Sequence, residues 1–368
     1  MQEHLVKKVA LKDVVKIKRG QRIRKEDLIA DGQYVVISGG SKPFGYYDQF
    51  NQAGQIVTIA QYGTAGYISW QEQPFWANDV CYCLIPNEEL DGRFLYHYLK
   101  NQQLTIDELV NAKAIPAHLP QEKLELLEIY VPDLKIQKQI AATLDQFNQL
   151  TNQLTNQLNL QNKQYQYYLE HLMDFANDNH PLIKDGGGVI RKIPLGDLFR
   201  IKIGDNVLGK FLAKSANAQY QFPVISGGKQ PLGYWKTFSH QGQTITISKN
   251  GTAGYVSWQE QPFYLNNVAM ALINHKPDQV LDRYLYYFLK AHQEQIYEMT
   301  KHAIPPCLRK SELQQLIIDL PDLAIQKQIV NALDQLNAIT SDLTIGLPAA
   351  IRQAQKQYQY YLATLMKF

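Results

Sequence analysis

The chain has 368 residues, 45% of them apolar and 19% charged, with a formal net charge of +3 and three cysteines. That balance describes a folded protein of two or three domains and excludes a disordered chain, while so small a net charge names no polyanion partner by itself. Cys81, Cys83 and Cys307 lack metal-type spacing and read as thiols of a reducing cytoplasm; no apolar run follows basic residues at the amino terminus and none reaches eighteen residues, so neither secretion nor a membrane span is expected.

From the start of the chain, residues 7–25 hold nine basic side chains against the single acid Asp13. Lys18, Arg19, Arg22, Arg24 and Lys25 are candidates for phosphate contact, the bland alternative being an edge strand guarded by lysines. Residues 34–37, 55–59 and 66–70 are β-branched and aromatic runs bounded by Gly-rich turns, and residues 94–99 and 123–127 are more helical, so the globule reads as α+β with a twisted, mainly antiparallel sheet. Two turns offer side chains suited to base edges: Ser38 and Lys42 on one, Gln61, Tyr62, Thr64 and Tyr67 on the other. Their glycines are explained by hairpin geometry alone. A third loop, 113–118, adds Lys113.

Residues 133–175 carry no Gly or Pro and place Ile140, Leu144, Phe147, Leu154, Leu158, Tyr165, Tyr168 and Leu172 at steps dominated by three and four. This is the seam of a long helix, roughly 60 Å at 1.5 Å per residue, and such a seam needs a partner helix. Asp133, after Pro132, suits the N-cap. Within the rod, residues 147–158 form a four-residue tandem ending in Asn-Gln-Leu.

After a Gly-rich linker the whole unit returns. ISGG at 37–40 recurs at 225–228, GTAGYISWQEQPF at 63–75 recurs as GTAGYVSWQEQPF at 251–263, and KQYQYYL occurs at 163–169 and 356–362. The second copy supplies the corresponding candidates Lys202, Lys210 and Lys214, then Ser226, Lys229 and Gln230, then Lys249, Asn250, Thr252 and Tyr255, and finally Lys301 and His302. Its rod begins at Asp322, and four extra residues near Ile345 to Pro348 should unwind or break it there. The expected organisation is globule 1–132, helix 133–176, linker 177–190, globule 191–321 and helix 322–368. A short linker cannot carry the second rod back along the first, so the two helices are expected to run antiparallel, with pseudo-two-fold symmetry and the chain ends meeting at the first globule.

Two like heads on a spacer suit two half-sites of duplex DNA; the rival is a two-headed protein-binding scaffold that does not touch DNA. Catalytic motifs are wanting. Gly204 to Lys210 resembles a phosphate loop, but Phe211 stands where Ser or Thr is required, and no His/Cys set has zinc spacing.

The repeated ISGG, GTAG and Ala-Ile-Pro features, with helix starts Pro132, Leu134, Gln137, Ile140 and Pro321, Leu323, Gln326, Ile329, resemble the specificity subunits of type I restriction-modification systems over essentially the whole chain. Ile136 and Ile325 depart from the Glu common in that family, which bears on the cap or a partner contact. The resemblance implies two target-recognition domains, each reading half of a bipartite DNA site, with helices that set the spacer. It also implies docking of two methyltransferase subunits and of restriction-translocase subunits. S-adenosylmethionine, ATP and magnesium would belong to those partners, leaving this chain non-catalytic and without cofactor. The Tyr-rich rod ends are expected either to face partners or to pack in the seam. Because the two globules are so alike, related half-sites are expected.

Overall fold

The computed structural model describes residues 6–176, 180, 182, 189–207, 211–301, 304–341 and 346–368. It comprises two compact units, the first formed by residues 1–155 with 350–368 and the second by 156–349. Most of the expected linker, 177–190, lies outside the described residues. Among the described residues no helix is long and apolar enough to cross a membrane.

The elements of the first copy are β1 (Lys7–Ala10), α1 (Leu11–Val14), β2 (Val15–Arg19), β3 (Tyr34–Ile37), β4 (Gly45–Tyr47), β5 (Ile56–Ala60), β6 (Ile68–Gln71), β7 (Trp76–Ala77), β8 (Cys81–Pro86), α2 (Gly92–Asn101), α3 (Gln103–Leu109), α4 (Gln121–Glu125), β9 (Glu128–Val131) and α5 (Leu134–Met173). The second copy repeats them as β10 (Arg191–Pro194), α6 (Leu195–Leu198), β11 (Phe199–Ile203), β12 (Phe222–Ile225), β13 (Tyr234–Trp235), β14 (Thr244–Ser248), β15 (Val256–Gln259), β16 (Tyr264–Leu265), β17 (Ala269–Asn274), α7 (Asp282–Ala291), α8 (Gln293–Thr300), α9 (Lys310–Gln314), β18 (Ile317–Leu320), α10 (Leu323–Ser341) and α11 (Leu347–Leu365).

Each copy builds the same small sheets: four antiparallel strands ordered β2-β8-β5-β6 or β11-β17-β14-β15, and three ordered β4-β3-β7 or β13-β12-β16. The architecture is α+β as expected, with one parallel pairing in each three-stranded sheet, β3 with β7 and β12 with β16. The central strands β5 and β8 are buried along most of their length, whereas edge strand β2 turns Lys16 and Lys18 to solvent. Helix α2 starts at a capping carboxylate, Asp91 accepting from the Phe94 amide at 2.8 Å. It then buries Phe94, Leu95, Tyr98 and Leu99 with Val57, Ile59 and Leu84 of the sheet.

The motif glutamine fixes each long helix to its globule. Gln137, fully buried, accepts from the Asp91 amide at 2.7 Å and donates to the carbonyls of Glu89 at 2.8 Å and Pro132 at 2.7 Å. Gln326 repeats the pattern with Leu281, Gln279 and Pro321, each at 2.9 Å. Asp322 caps α10 through the Ile325 amide at 2.9 Å, so isoleucine at that position leaves the cap intact.

In the first unit α11 runs antiparallel to the start of α5. Phe368 lies beside Tyr130, whose strand leads into α5, while Tyr361 stacks on Phe147 at 5.0 Å and Leu362 joins Ile140 and Leu144 in the core. Since β1 pairs with β9, the carboxyl end of the chain and its first strand meet at this globule, as expected. In the second unit Leu169, Leu172 and Met173 of α5 share a core with Ile329 and Leu333 of α10.

One expectation about the rods needs correction. Tyr168 is 38% exposed and Leu169 takes the buried position, because the spacing of four from Tyr165 keeps the stripe facing the core there. The second rod is interrupted near Pro348 as expected: α10 ends at Ser341 and α11 opens at Leu347 with Pro348 in its first turn, where a missing amide costs nothing. Residues 342–345 lie outside the described residues.

Candidate nucleic-acid interface

The two Gly turns of each copy are stitched to one another. Thr64 donates both its amide and its hydroxyl to the Gly39 carbonyl at 2.8 Å, and Thr252 does the same to Gly227 at 2.7 Å. A side chain at Gly63, whose φ is +74°, would meet the Gly39 oxygen at 2.6 Å; Gly251 meets Gly227 in the same way. These glycines therefore serve close backbone approach, and the threonine hydroxyl protons are spent inside the protein.

Other elements hold this pair of turns from behind. Gln103 of α3 donates to the Gly66 carbonyl at 2.9 Å, and Gln293 of α8 to Gly254 at 2.7 Å. Asn78, 5% exposed, accepts from the Ile23 amide at 3.2 Å and donates to the Ile23 carbonyl at 3.3 Å and to the Ser38 hydroxyl at 3.4 Å. It thereby joins the basic strip to the first turn. Arg22, Arg24 and Lys25 consequently line a groove of about 650 Å³ together with Ser38 and Phe44. The third loop joins through Tyr62, which bridges His118 on the backbone and faces its ring at 5.7 Å.

Lys18, Arg19, Arg22, Arg24, Lys25, Lys42, Tyr67 and Lys113 are exposed, and Ser38 and Tyr62 half-buried. Gln61 is a correction: it is 3% exposed with its side-chain oxygen unpartnered among the described residues, because its backbone is clamped between Val80 and Leu119. A side chain so enclosed cannot reach a base edge. The start of the basic strip is partly neutralised, Lys8 by Glu128 at 2.6 Å and Lys7 by Glu89 at 3.4 Å. Arg24 lies 3.6 Å from Glu26, and Arg19 leans over the Tyr82 ring at 5.7 Å.

In the second copy Lys202, Lys214, Lys229, Gln230, Thr252 and Lys301 are exposed, and Ser226, Lys249, Asn250 and Tyr255 half-buried. Lys301 is held by Glu298 at 2.5 Å, which reduces its value as a phosphate contact. Lys210 and His302 lie outside the described residues.

Sequence reasoning passed over Asn78, Gln103 and Gln293, and also Lys100 and Lys290, which close α2 and α7. Lys100 stands over the Tyr67 ring at 5.6 Å and Lys290 over Tyr255 at 5.3 Å. Burial lowers the proton affinity of both amines, with Asp107 opposing it at Lys100 and Lys229 adding to it at Lys290. The signal was present, since the repeated RFLYHYLK and RYLYYFLK end on the same lysine.

Behind the interface, each globule is tied to a long helix by an arginine and an aspartate. Arg93 donates Nε to Asp145 at 2.8 Å, stands over Trp70 at 4.9 Å, and shares that carboxylate with His97 Nε2 at 2.8 Å. In the second copy Arg283 meets Asp334 at 2.7 Å and Trp258 at 4.8 Å, and the Tyr287 hydroxyl replaces the imidazole on Asp334. The turns carry backbone and cations to an open surface, and this network fixes their frame. Among the described residues no three His, Cys, Asp or Glu side chains group to hold a metal ion.

The profile of a family described as the type I restriction modification DNA specificity domain matches residues 3–163 and 190–353. A Haemophilus influenzae protein named as a type I restriction enzyme specificity subunit is 30% identical over 347 residues, covering 88% of this chain and 85% of that one. A Mycoplasma pneumoniae protein named as a type I specificity subunit is 27% identical over 367 residues, 97% and 96% of the two chains. Among solved structures, the S subunit of a type I restriction-modification system from M. genitalium has a TM-score of 0.77 at 22% identity, with 100% of this chain and 98% of that one covered, a likeness of fold.

Proposed function

The chain belongs to the type I restriction modification DNA specificity family, and from that premise we propose that each of its two recognition units reads one half of a bipartite site in duplex DNA. The reading is carried by one arrangement present in both copies: two glycine turns locked together, with exposed cations such as Lys42 and Lys229 on them. Cations such as Arg22, Arg24 and Lys25 neutralise phosphates and set the register, which confers affinity without sequence information. Side chains on the turns then approach base edges. Tyr62 becomes Asn250 and Lys42 becomes Gln230 between copies while the backbone stitch stays the same, so the frame is common and the reading groups are exchangeable.

In this reading the long helices set the unspecified spacer and dock two methyltransferase subunits, onto which restriction-translocase subunits assemble. The chain itself performs no bond-making step. S-adenosylmethionine, ATP and magnesium are held by the partners, and the assembly works in the cytoplasm. The test has two arms: duplex affinity of the purified chain across a salt series, and methylation mapping of cells with and without it. Affinity should fall steeply with salt, and one bipartite motif should lose methylation. An affinity indifferent to salt together with an unchanged methylation map would sink the proposal.

A further inference from the structure

The two copies differ in charge where α2 or α7 ends against the second Gly turn. In the second copy Lys229, from the turn after β12, lies 5.6 Å from the centre of the Tyr255 ring, and Lys290, from the last turn of α7, lies 5.3 Å from it. Three elements separate in sequence thus bring two ammonium groups to one aromatic ring. Among the described residues neither lysine forms an ion pair, and the charge acting on Lys290 is that of Lys229 itself.

The first copy is built otherwise. Ser41 stands at the position of Lys229, and among the described residues Lys100 alone covers Tyr67, at 5.6 Å. A carboxylate is also present there: Asp107 acts on Lys100, and its oxygen lies 3.2 Å from where a Cβ on Gly66 would be. At the same place in the second copy the Tyr297 ring lies 3.1 Å from a Cβ on Gly254. The exchange of Asp107 for Tyr297 removes the counter-charge, and that of Ser41 for Lys229 adds a cation.

Like charges held together repel, and the ring face offsets only part of that cost. An arriving anion supplies the rest. On the DNA-reading role stated above, we propose that Lys229 and Lys290, posed on the Tyr255 ring, form a phosphodiester-contact site of the second recognition unit that the first unit lacks. Tyr255 is a positioning residue, its ring orienting both amines, while the amines make the contact. At this place the second unit then adds an electrostatic contact to its half-site that the first unit does not.

The test measures the affinity of the full chain for a labelled duplex of mixed sequence as a function of salt. Each phosphate contact contributes about 0.9 to the slope of log K against log salt. Lys229→Gln with Lys290→Gln should lower that slope by between about one and two, with the circular dichroism spectrum and melting temperature unchanged. The arginine pair at the same positions should restore the slope, as a merely structural role would not require. Tyr255→Phe should leave it alone and Tyr255→Ala should lower it. Lys100→Gln should change it by less than Lys290→Gln does; an equal effect would remove the asymmetry claimed here. If the wild-type chain binds with a salt-dependent affinity and the double glutamine variant keeps its slope, this site is refuted while the DNA-reading role stands. If the wild type shows no salt-dependent duplex affinity, the role itself fails.

Discussion

His97 and Tyr287 occupy equivalent places and solve one problem in two ways, each presenting a hydrogen-bond donor to the aspartate that anchors a long helix. Burial holds the His97 imidazole below its ordinary value, against the opposing pull of Asp145 and with Arg93 adding to the depression. A neutral ring donates Nε2–H to Asp145 and accepts from the Tyr358 hydroxyl at Nδ1, 3.2 Å away. The carboxyl of Asp145, pushed up by burial, is brought below its usual range by its bonds to His97 and Arg93. When unfolded, His97 takes up a proton near pH 6.5, and when folded it does so only at lower pH. The unfolded state therefore binds more protons in that window, and stability falls as pH drops below about 6.5. Melting temperature should decline between about pH 7 and 5.5, and His97→Tyr, which copies the second half, should flatten that decline. His240, also depressed by burial, leaves a residual slope. An unchanged slope in the variant would remove His97 from the account.

The elements depend on a few clamps rather than on propensity. Gln137 has three hydrogen bonds and no exposure, so Gln137→Glu keeps the acceptor for the Asp91 amide while leaving the Glu89 and Pro132 carbonyls without a donor. A buried polar group without its partner costs about 1–3 kcal/mol. The variant should therefore lower the denaturant midpoint about as much as Gln137→Leu, whereas a role confined to shape would spare it. At the turn, Gly63→Ala forces a side chain into positive φ and against the Gly39 oxygen. A loss of roughly 1–3 kcal/mol is expected in denaturant unfolding, and duplex affinity should fall because the threonine stitch opens. The glycine pattern made these turns legible in advance. It gave no sign that Gln61, two residues earlier, would be enclosed, because the groups that enclose it come from Val80 and Leu119.

At the scale of the whole molecule, α5 is continuous over 40 residues and gives its first part to one unit and its last to the other. Its tandem segment carries Thr151 and Thr155, whose hydroxyls bond the carbonyls four residues back at 2.9 and 2.8 Å, so each repeat is self-contained as helix. Deleting Thr155 to Leu158 should shorten α5 by about 6 Å and, if the helices set the spacer, bring the methylated half-sites closer by about one or two base pairs at roughly 3.4 Å each. Methylation mapping of the variant checks this, and a spacer identical to the parent's would separate helix length from spacing.

The sequence by itself determined the duplication, the α+β class, the seam of α5 and the interruption near Pro348, because periodicity, repetition and proline are local properties. The family was legible for the same reason, through short motifs repeated at a nearly constant offset. Only the tertiary structure decided which polar side chains remain free. Thr64 and Thr252 looked available and are spent on glycine carbonyls, whereas Lys290, passed over in the sequence, stands with Lys229 on one ring. Burial and pairing belong to groups far apart along the chain, and no local pattern encodes which of them will meet.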